Sequence, residues 1–317
     1  MNLPEPPPGK IGWPWTETPE PLPETMSDGS PWTKISIVTP SFNQGQFIEE
    51  TIRSVLLQGY PNLEFIIIDG GSTDNSTEII KRYESWLAYW ISEPDRGQSH
   101  AINKGIEKAT GEILFWLNSD DLVLPGTLNR VADLFKIYPD VDIISGQARV
   151  IDENGDVIGK LKSYYESWKE LITNPGNSIR QISTFFRRSL FDLHGNLDET
   201  FFISMDTNLL SRFTKYHSPL VIPDELTAFR VQPNAKTANQ LLIGYQETDK
   251  NRLTQLTGKL KSKYRRRSSA NWVNLAKSGR YSYGERLLCL KNALRINAIV
   301  IFRREFWLAL LLPSYTR

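Results

Sequence analysis

From Lys34 to Ser145 the chain alternates short apolar runs with longer stretches whose apolar residues recur every three or four positions. The short runs predict strands, and the longer stretches predict helices with one buried face. Lys34–Thr39 is the first predicted strand, ended by Pro40; Asn43 then caps a helix through Gln58, with Phe47, Ile48, Ile52, Val55 and Leu56 on one side. Leu63–Asp69 is the second strand, and a helix from Asn75 turns Ile79, Ile80 and Tyr83 inward. A strand over Trp86–Ser92, a helix over Gln98–Ala109, a strand from Ile113 to Leu117, a helix near Leu128–Tyr138 and a strand over Val141–Ser145 follow. This alternation predicts βαβ units, hence an α/β fold with a mixed, mainly parallel sheet flanked by helices.

The rhythm changes after Gly146. Ala148–Gly159 reads as a hairpin turning at Asn154-Gly155. Helices near Tyr164–Thr173, up to His194 and over Met205–Tyr216 surround a predicted strand over Ile182–Arg187. From Thr237 onward the pattern is helical, and Ala270–Arg280 with Gly284–Asn297 reads as a helical hairpin. The first 33 residues hold nine prolines together with Trp13, Trp15 and Trp32. They form an extended arm, either laid against the body through its tryptophans or solvated as a linker. The expected organisation is an arm over 1–33, an α/β domain over 34–236 and a helical extension over 237–317.

Candidate chemistry gathers where the predicted strands end. Three polar loops, Thr39–Asn43, Asp69–Asp74 and Asn118–Asp121, follow strands on the same side, where open α/β sheets bind ligands. Asp120 and Asp121 are adjacent carboxylates whose repulsion a divalent cation would offset, and oxygen ligands select Mg2+ or Mn2+. The same segment suits an N-cap for a helix starting near Gly126, and spacing alone leaves both readings open. Neither Gly-x-Gly-x-x-Gly nor Gly-Lys-Ser/Thr is present in the sequence, which removes two common nucleotide-binding loops.

With 40% hydrophobic and 23% charged residues among 317, the composition is that of a globular enzyme, and no stretch reaches 18 uninterrupted apolar residues. The start lacks the basic and apolar regions of a signal peptide, so a cytoplasmic location is expected. Cys289 is the single cysteine, which excludes an internal disulfide; His100, His194 and His217 are scattered, which argues against a zinc centre. The net charge of +1 conceals an asymmetry, because thirteen Lys/Arg stand against one acid between Lys259 and Arg304. An acidic body with a basic tail implies two different partners. The cluster Lys259–Arg267 and the pair Arg303-Arg304 beside the apolar run Phe306–Leu312 suit an anionic membrane, with residues 259–317 peripheral on its inner face. The alternative is that the same run packs as a last helix.

In order and spacing, Val38–Asn43, Ile68–Asp74, Ala101–Gly105 and Leu117–Asp121 resemble the family 2 glycosyltransferases, inverting enzymes with the GT-A fold, over residues 34–232. The resemblance implies that Thr39, Pro40, Ser41, Asn43 and Asp69 hold the nucleobase and ribose of a nucleotide-sugar, with Gly71, Asn118 and Ser119 on the same rim. It puts Asp120 at the metal-binding end of an Asp-x-Asp motif, with Asp121 beside it, for a divalent cation (Mn2+ or Mg2+). It makes Asp206 the catalytic base. The implied acceptor is a glycan or a lipid-linked sugar in surface or extracellular polysaccharide synthesis, with no nucleic-acid partner. Four positions depart from the family: Gly70 and Asn118 replace acids, Met205 stands where Glu is frequent, and Gln232 stands where a metal-contacting His often lies. Asn118 and Gln232 motivate a rival reading, a catalytically silent carbohydrate- or nucleotide-binding module of the same fold.

Overall fold

The structure, a computed structural model, describes residues 3–17, 19–174, 178–233, 236, 240–278 and 280–311. The chain divides into two compact units, Met1–Ala235 and Lys236–Arg317.

Nine described strands of the first unit form one sheet. Its order is β3 (Tyr89–Ser92), β2 (Leu63–Asp69), β1 (Ile35–Ser41), β4 (Ile113–Trp116), β8 (Thr184–Arg187), β6 (Ile143–Ile151), β9 (Leu220–Arg230) and β5 (Leu122–Val123), with β7 (Val157–Leu161) paired to β6. β1 to β4 are mutually parallel, β8 runs antiparallel between β4 and β6, and β9 returns parallel to β6. Successive residues of a strand face opposite sides. Ile35, Ile37, Phe65, Ile67, Phe115 and Phe185 thus enter one core, under α1 (Ile48–Leu56), α2 (Ser76–Arg82) and α4 (Thr127–Ile137). Val38, Ile66, Ile68, Leu114, Trp116 and Phe186 enter the other, under α3 (Gln98–Lys108), α6 (Ser189–His194) and α7 (Met205–Phe213). Both faces are covered, which is why these strands read as unbroken apolar runs. This is the mixed, helix-flanked GT-A architecture expected from the sequence.

Several elements differ from the periodicity. Pro40 does not end β1: Val38 O accepts from Leu117 N–H and Ser41 O accepts from Gly70 N–H. Alternation therefore turns the Pro40 nitrogen to the β4 side, where pairing has stopped at Trp116, so no ladder bond is lost. Asn43 does not cap α1, whose N-cap is Phe47; it sits at φ 51° in the left-handed region instead. The break expected at Gly146 is a register shift inside one strand, β6, which joins the predicted strand to the hairpin. A Cβ at Gly146 would lie 2.5 Å from Leu226 Cγ, so β9 can approach only a glycine there. β5, β9 and the insertion of β8 beside β4 were not predicted at all.

The arm lies against the body. Its prolines lack N–H groups and cannot form a ladder, so its carbonyls need other donors. Arg53 of α1 supplies them: Nη1 to Pro4 O (2.7 Å), Nε to Pro14 O (3.1 Å) and Nη2 to Trp15 O (3.1 Å). Trp13 Nε1 donates to Val123 O at 3.0 Å, and Met26 and Trp32 enter the first core. Two of the three histidines also meet, with His194 Nε2 3.0 Å from His217 Nε2 and His217 Nδ1 2.7 Å from Asp142. Among the described residues no group of three or more such side chains could hold a metal.

The second unit is helical: α8 (Leu241–Gln255), α9 (Gly258–Lys277), α10 (Tyr283–Ile296), a 3-10 turn (Ala298–Phe302) and α11 (Arg304–Leu311). α10 opens with a capping box between Ser282 and Glu285. Trp272, Cys289, Leu290, Val300, Phe306 and Ala309 belong to its core. No described helix is long and apolar enough to cross a membrane.

Asp249 ties α8 to α9 by accepting from Tyr264 Oη (2.5 Å), Ser268 Oγ (2.6 Å) and Trp272 Nε1 (2.6 Å). Asp249→Ala leaves three buried donors without an acceptor and should destabilise this unit by about 2–4 kcal/mol. Amide hydrogen exchange along α9 reads that loss directly; unchanged protection would reject the assignment.

Candidate active site

The carboxyl ends of β1 and β2 carry two loops that bond to each other. Asn43 N–H donates to Ser72 Oγ (2.7 Å), Asn43 Oδ1 accepts from Thr73 N–H (2.8 Å), and Gly45 N–H donates to Asp74 (2.8 Å). Asp69 is fully buried and shapes the second loop: its carboxylate accepts from Gly71 N–H, Ser72 N–H, Ser72 Oγ and Ser92 Oγ. Gly71 holds φ 83°, and its α-carbon lies where a Cβ would meet Pro94 N at 3.2 Å. A Cβ at Gly70 would lie 2.6 Å from Asp95 Oδ2, so an acid there would have to displace the Asp95 carboxylate. Thr39 Oγ1 and Ser41 Oγ are buried hydroxyls with no hydrogen-bond partner among the described residues. Beside them Phe42 is 58% exposed.

The acidic loop after β4 buries one of its two carboxylates and leaves the other partly exposed. Asp121 is 1% exposed; Oδ1 accepts from Arg230 N–H (2.9 Å) and Oδ2 from Asn118 Nδ2 (2.9 Å). Burial, and then the neighbouring Asp120 charge, push its pKa well above the ordinary carboxylate range. Asn118 Oδ1 accepts from Gln98 Nε2 at 2.8 Å. An aspartate at 118 could not donate to Asp121, so the departure at Asn118 satisfies a buried acid. Ser119 is buried as well. Asp120 stays half-buried, with Gln232 Nε2 donating to its Oδ2 at 2.6 Å, and desolvation raises its pKa. The two neighbours therefore differ in exposure: Asp121 is inside the fold and Asp120 is partly open.

Arg230, at the end of β9, fixes this loop from beneath. Its guanidinium donates to Asp120 O (2.9 Å), Asp152 O (3.0 Å), Glu153 O (3.2 Å) and Glu50 Oε2 (2.8 Å), and it lies 4.9 Å over the Phe47 ring. The sequence pattern does not reveal β9, whose alternation is blurred by Pro223, Asp224 and Glu225, and so gives no signal for Arg230.

Asp206 stands in the first turn of α7, with Oδ1 accepting from Thr207 N–H at 2.6 Å. Burial raises its pKa, against hydrogen bonds from Thr207 and the charge of Arg180. The segment ahead of α7 is clamped by α3: Asn103 Nδ2 donates to Leu197 O (3.0 Å) and Oδ1 accepts from Leu197 N–H (3.0 Å). Arg96 pairs with Glu199 at 2.8 Å on the same segment. A Cβ at Gly105 would meet Val38 Cγ1 at 2.2 Å, so only glycine lets α3 pack this closely on β1. These contacts give the Ala101–Gly105 block its physical meaning.

The chain was compared with known proteins. The sequence profile described as Glycosyl transferase family 2 matches residues 36–205. An uncharacterized glycosyltransferase of Nostoc sp. is 31% identical over 154 residues, covering 46% of this chain and 47% of that protein. The poly-beta-1,6-N-acetyl-D-glucosamine synthase of Staphylococcus epidermidis is 27% identical over 164 residues, 49% of this chain and 40% of that one. The chain thus matches less than half the length of either relative. Among solved structures, S. aureus TarS 1-349 in complex with UDP superposes with a TM-score of 0.61 at 17% identity, over 87% of this chain and 86% of that one. The mannosyltransferase PcManGT of Pyrobaculum calidifontis, in complex with GDP-Man and Mn2+, gives 0.52 at 16% identity, over 93% and 89%. The two likenesses in structure concern the fold. With more than half of its length under the family profile and the strand-end loops arranged as described, the chain belongs to glycosyl transferase family 2.

Proposed function

We propose that the protein transfers a sugar from a nucleotide-sugar to an acceptor hydroxyl, with inversion at the anomeric carbon. The observation that carries this reading is the unequal treatment of two adjacent acids: Asp121 is buried with both oxygens bonded inside the fold, while Asp120 stays partly exposed with Gln232 on one oxygen. On this reading Thr39 and Ser41 offer their unpaired hydroxyls to the nucleoside, Phe42 its ring face, and Asn43, Asp69 and Gly71 shape the loops that hold it. Pro40, Asn118 and Ser119 act as framework. The metal-facing role expected of Asp121 falls to Asp120 alone.

The residues fit a divalent cation, because Mg2+ and Mn2+ are commonly held by one carboxylate together with substrate phosphates. Asp120 would be that ligand, and the Gln232 amide, turned over, would present its carbonyl oxygen. When bound, the cation supplies positive charge against the departing diphosphate. Asp206 takes the proton of the acceptor hydroxyl as its oxygen attacks from the face opposite the leaving group. The anomeric C–O bond to phosphate breaks, and its electron pair leaves with the diphosphate. The acceptor is a glycan or a lipid-linked sugar presented at the inner face of the membrane, for a surface or extracellular polysaccharide. The silent-module reading loses one of its two motives, since Asn118 has a structural task. Hydrolysis of nucleotide-sugars in the presence of Mn2+, screened across bases and sugars, tests the proposal; none in any combination would reject it.

Asp120→Asn should abolish transfer and leave the melting temperature of the metal-free protein within a few degrees of wild type, about 3 °C at most. Wild-type turnover would remove Asp120 from the site. Arg230→Met should do the opposite, unfolding the loop and lowering stability by roughly 3–5 kcal/mol, because Glu50 is left buried without its partner. Guanidinium titration distinguishes the two variants.

Asp206→Asn should lower turnover about a hundredfold or more with donor affinity unchanged. A base works only when ionised, so a raised pKa moves the acid limb of the rate profile above the ordinary aspartate range. Activity is then present above that limb and lost as pH falls through it. The limb should vanish in Asp206→Asn; a limb unchanged in the variant belongs to another group.

A further inference from the structure

Two features far apart in sequence form one surface in the second unit. Lys259, Lys263, Arg266 and Arg267 of α9 line an open groove whose remaining wall includes Arg303, which directly follows the 3-10 turn. In a 3-10 helix, side chains three apart eclipse one another. Ile299 and Phe302 therefore share one side of the turn, and they are 67% and 83% exposed. Val300, on the other side, is buried in the core of the unit and holds the turn down. Trp307, 51% exposed, donates Nε1 to Ile301 O at 2.7 Å and so braces the same turn. By contrast Phe306 and Ala309 are core residues, which means that the run from Phe306 cannot lie flat as a whole. Leu312 and the Arg304 side chain lie outside the described residues.

We infer that this surface docks on an anionic bilayer, with Ile299 and Phe302 entering the headgroup boundary and the α9 groove taking up lipid phosphates. Charge complementarity selects the partner: five cations converge beside an apolar prong, and an anionic interface is the partner that rewards both at once. A soluble polyanion would engage the groove and gain nothing from an exposed Phe302. The inference takes its setting, the inner membrane face, from the reading of the acceptor above, and its chemistry from Lys236–Arg317 alone.

The full-length chain should float with vesicles of phosphatidylglycerol and phosphatidylcholine, and remain soluble with phosphatidylcholine alone. Raising salt from about 0.05 to about 0.5 M should release most of it as the Debye length shrinks. Lys263→Glu combined with Arg266→Glu and Arg267→Glu should lower the bound fraction at least about tenfold. The same positions changed to Gln, a milder set, should lower it less while nucleotide-sugar hydrolysis stays at the wild-type rate. Insertion can be read separately, because Cys289 is fully buried and its thiol pKa is pushed up to about 11, so it resists labelling at neutral pH. A polarity-sensitive dye on Phe302→Cys should then shift to the blue with anionic vesicles. Failure of the wild type to float, equal flotation on neutral vesicles, or flotation unaffected by the charge changes overturns the inference. So does retention by a soluble polyanion without flotation. Each of these results leaves the hydrolysis assay, and with it the transferase reading, standing or falling by itself.

Discussion

A buried guanidinium holds the acidic end of this sheet together. Placing two acids side by side at a strand end creates a repulsion and a desolvation cost that the loop cannot offset with its own groups. Arg230 meets both. Its backbone N–H takes one oxygen of Asp121, its side chain takes the carbonyl of Asp120, and its remaining donors reach the β6–β7 turn and Glu50 on α1. Three separate segments thus converge on one residue that is 1% exposed. Four guanidinium hydrogen bonds and one from its backbone N–H hold the acidic loop in place.

The loops of the first two strands obey the same logic with neutral partners. Asp69 is spent on Gly71, Ser72 and Ser92, and Asn43 on Thr73, so charge and amide alike stiffen the rim. What the loops leave unspent is small: two buried hydroxyls without a partner among the described residues, the exposed ring of Phe42 and the partly exposed carboxylate of Asp120. The segment before Asp206 is tied to α3 by Asn103 and to the loop after β3 by Arg96. The loop after β1 and the segment before α7 therefore share α3 as common support, since Gly105 of the same helix packs on Val38 of β1.

The parallel half of the sheet was legible in sequence because its strands are buried on both faces. Leu63–Asp69 needs no partner to be recognised, since nearly every residue is apolar. β9 was illegible for the converse reason: it carries polar residues whose environment is created only by β6 and β5. Asp69, Asp120 and Asp206 lie at a strand end, in a loop and at a helix start, the positions the sequence pattern gives them. It could not tell Asp120 from Asp121, because that difference lies in Arg230, 109 residues after Asp121 and on an unpredicted strand. Pro40 and Asn43 misled for a simpler reason. Their usual local meanings, breaker and cap, were overridden by which side of β1 was already unpaired and by Thr73.

The arm changes what counts as the enzyme. Recognisable similarity begins at residue 36, yet Arg53 satisfies its guanidinium on carbonyls of Pro4, Pro14 and Trp15. Cutting the chain where the homology starts would strand a cation inside α1 and uncover the apolar surface beneath Met26 and Trp32. The segment under the family profile is therefore smaller than the unit that folds here. Grafting this catalytic module into another protein would require carrying a proline-rich stretch that looks, in composition, like packaging.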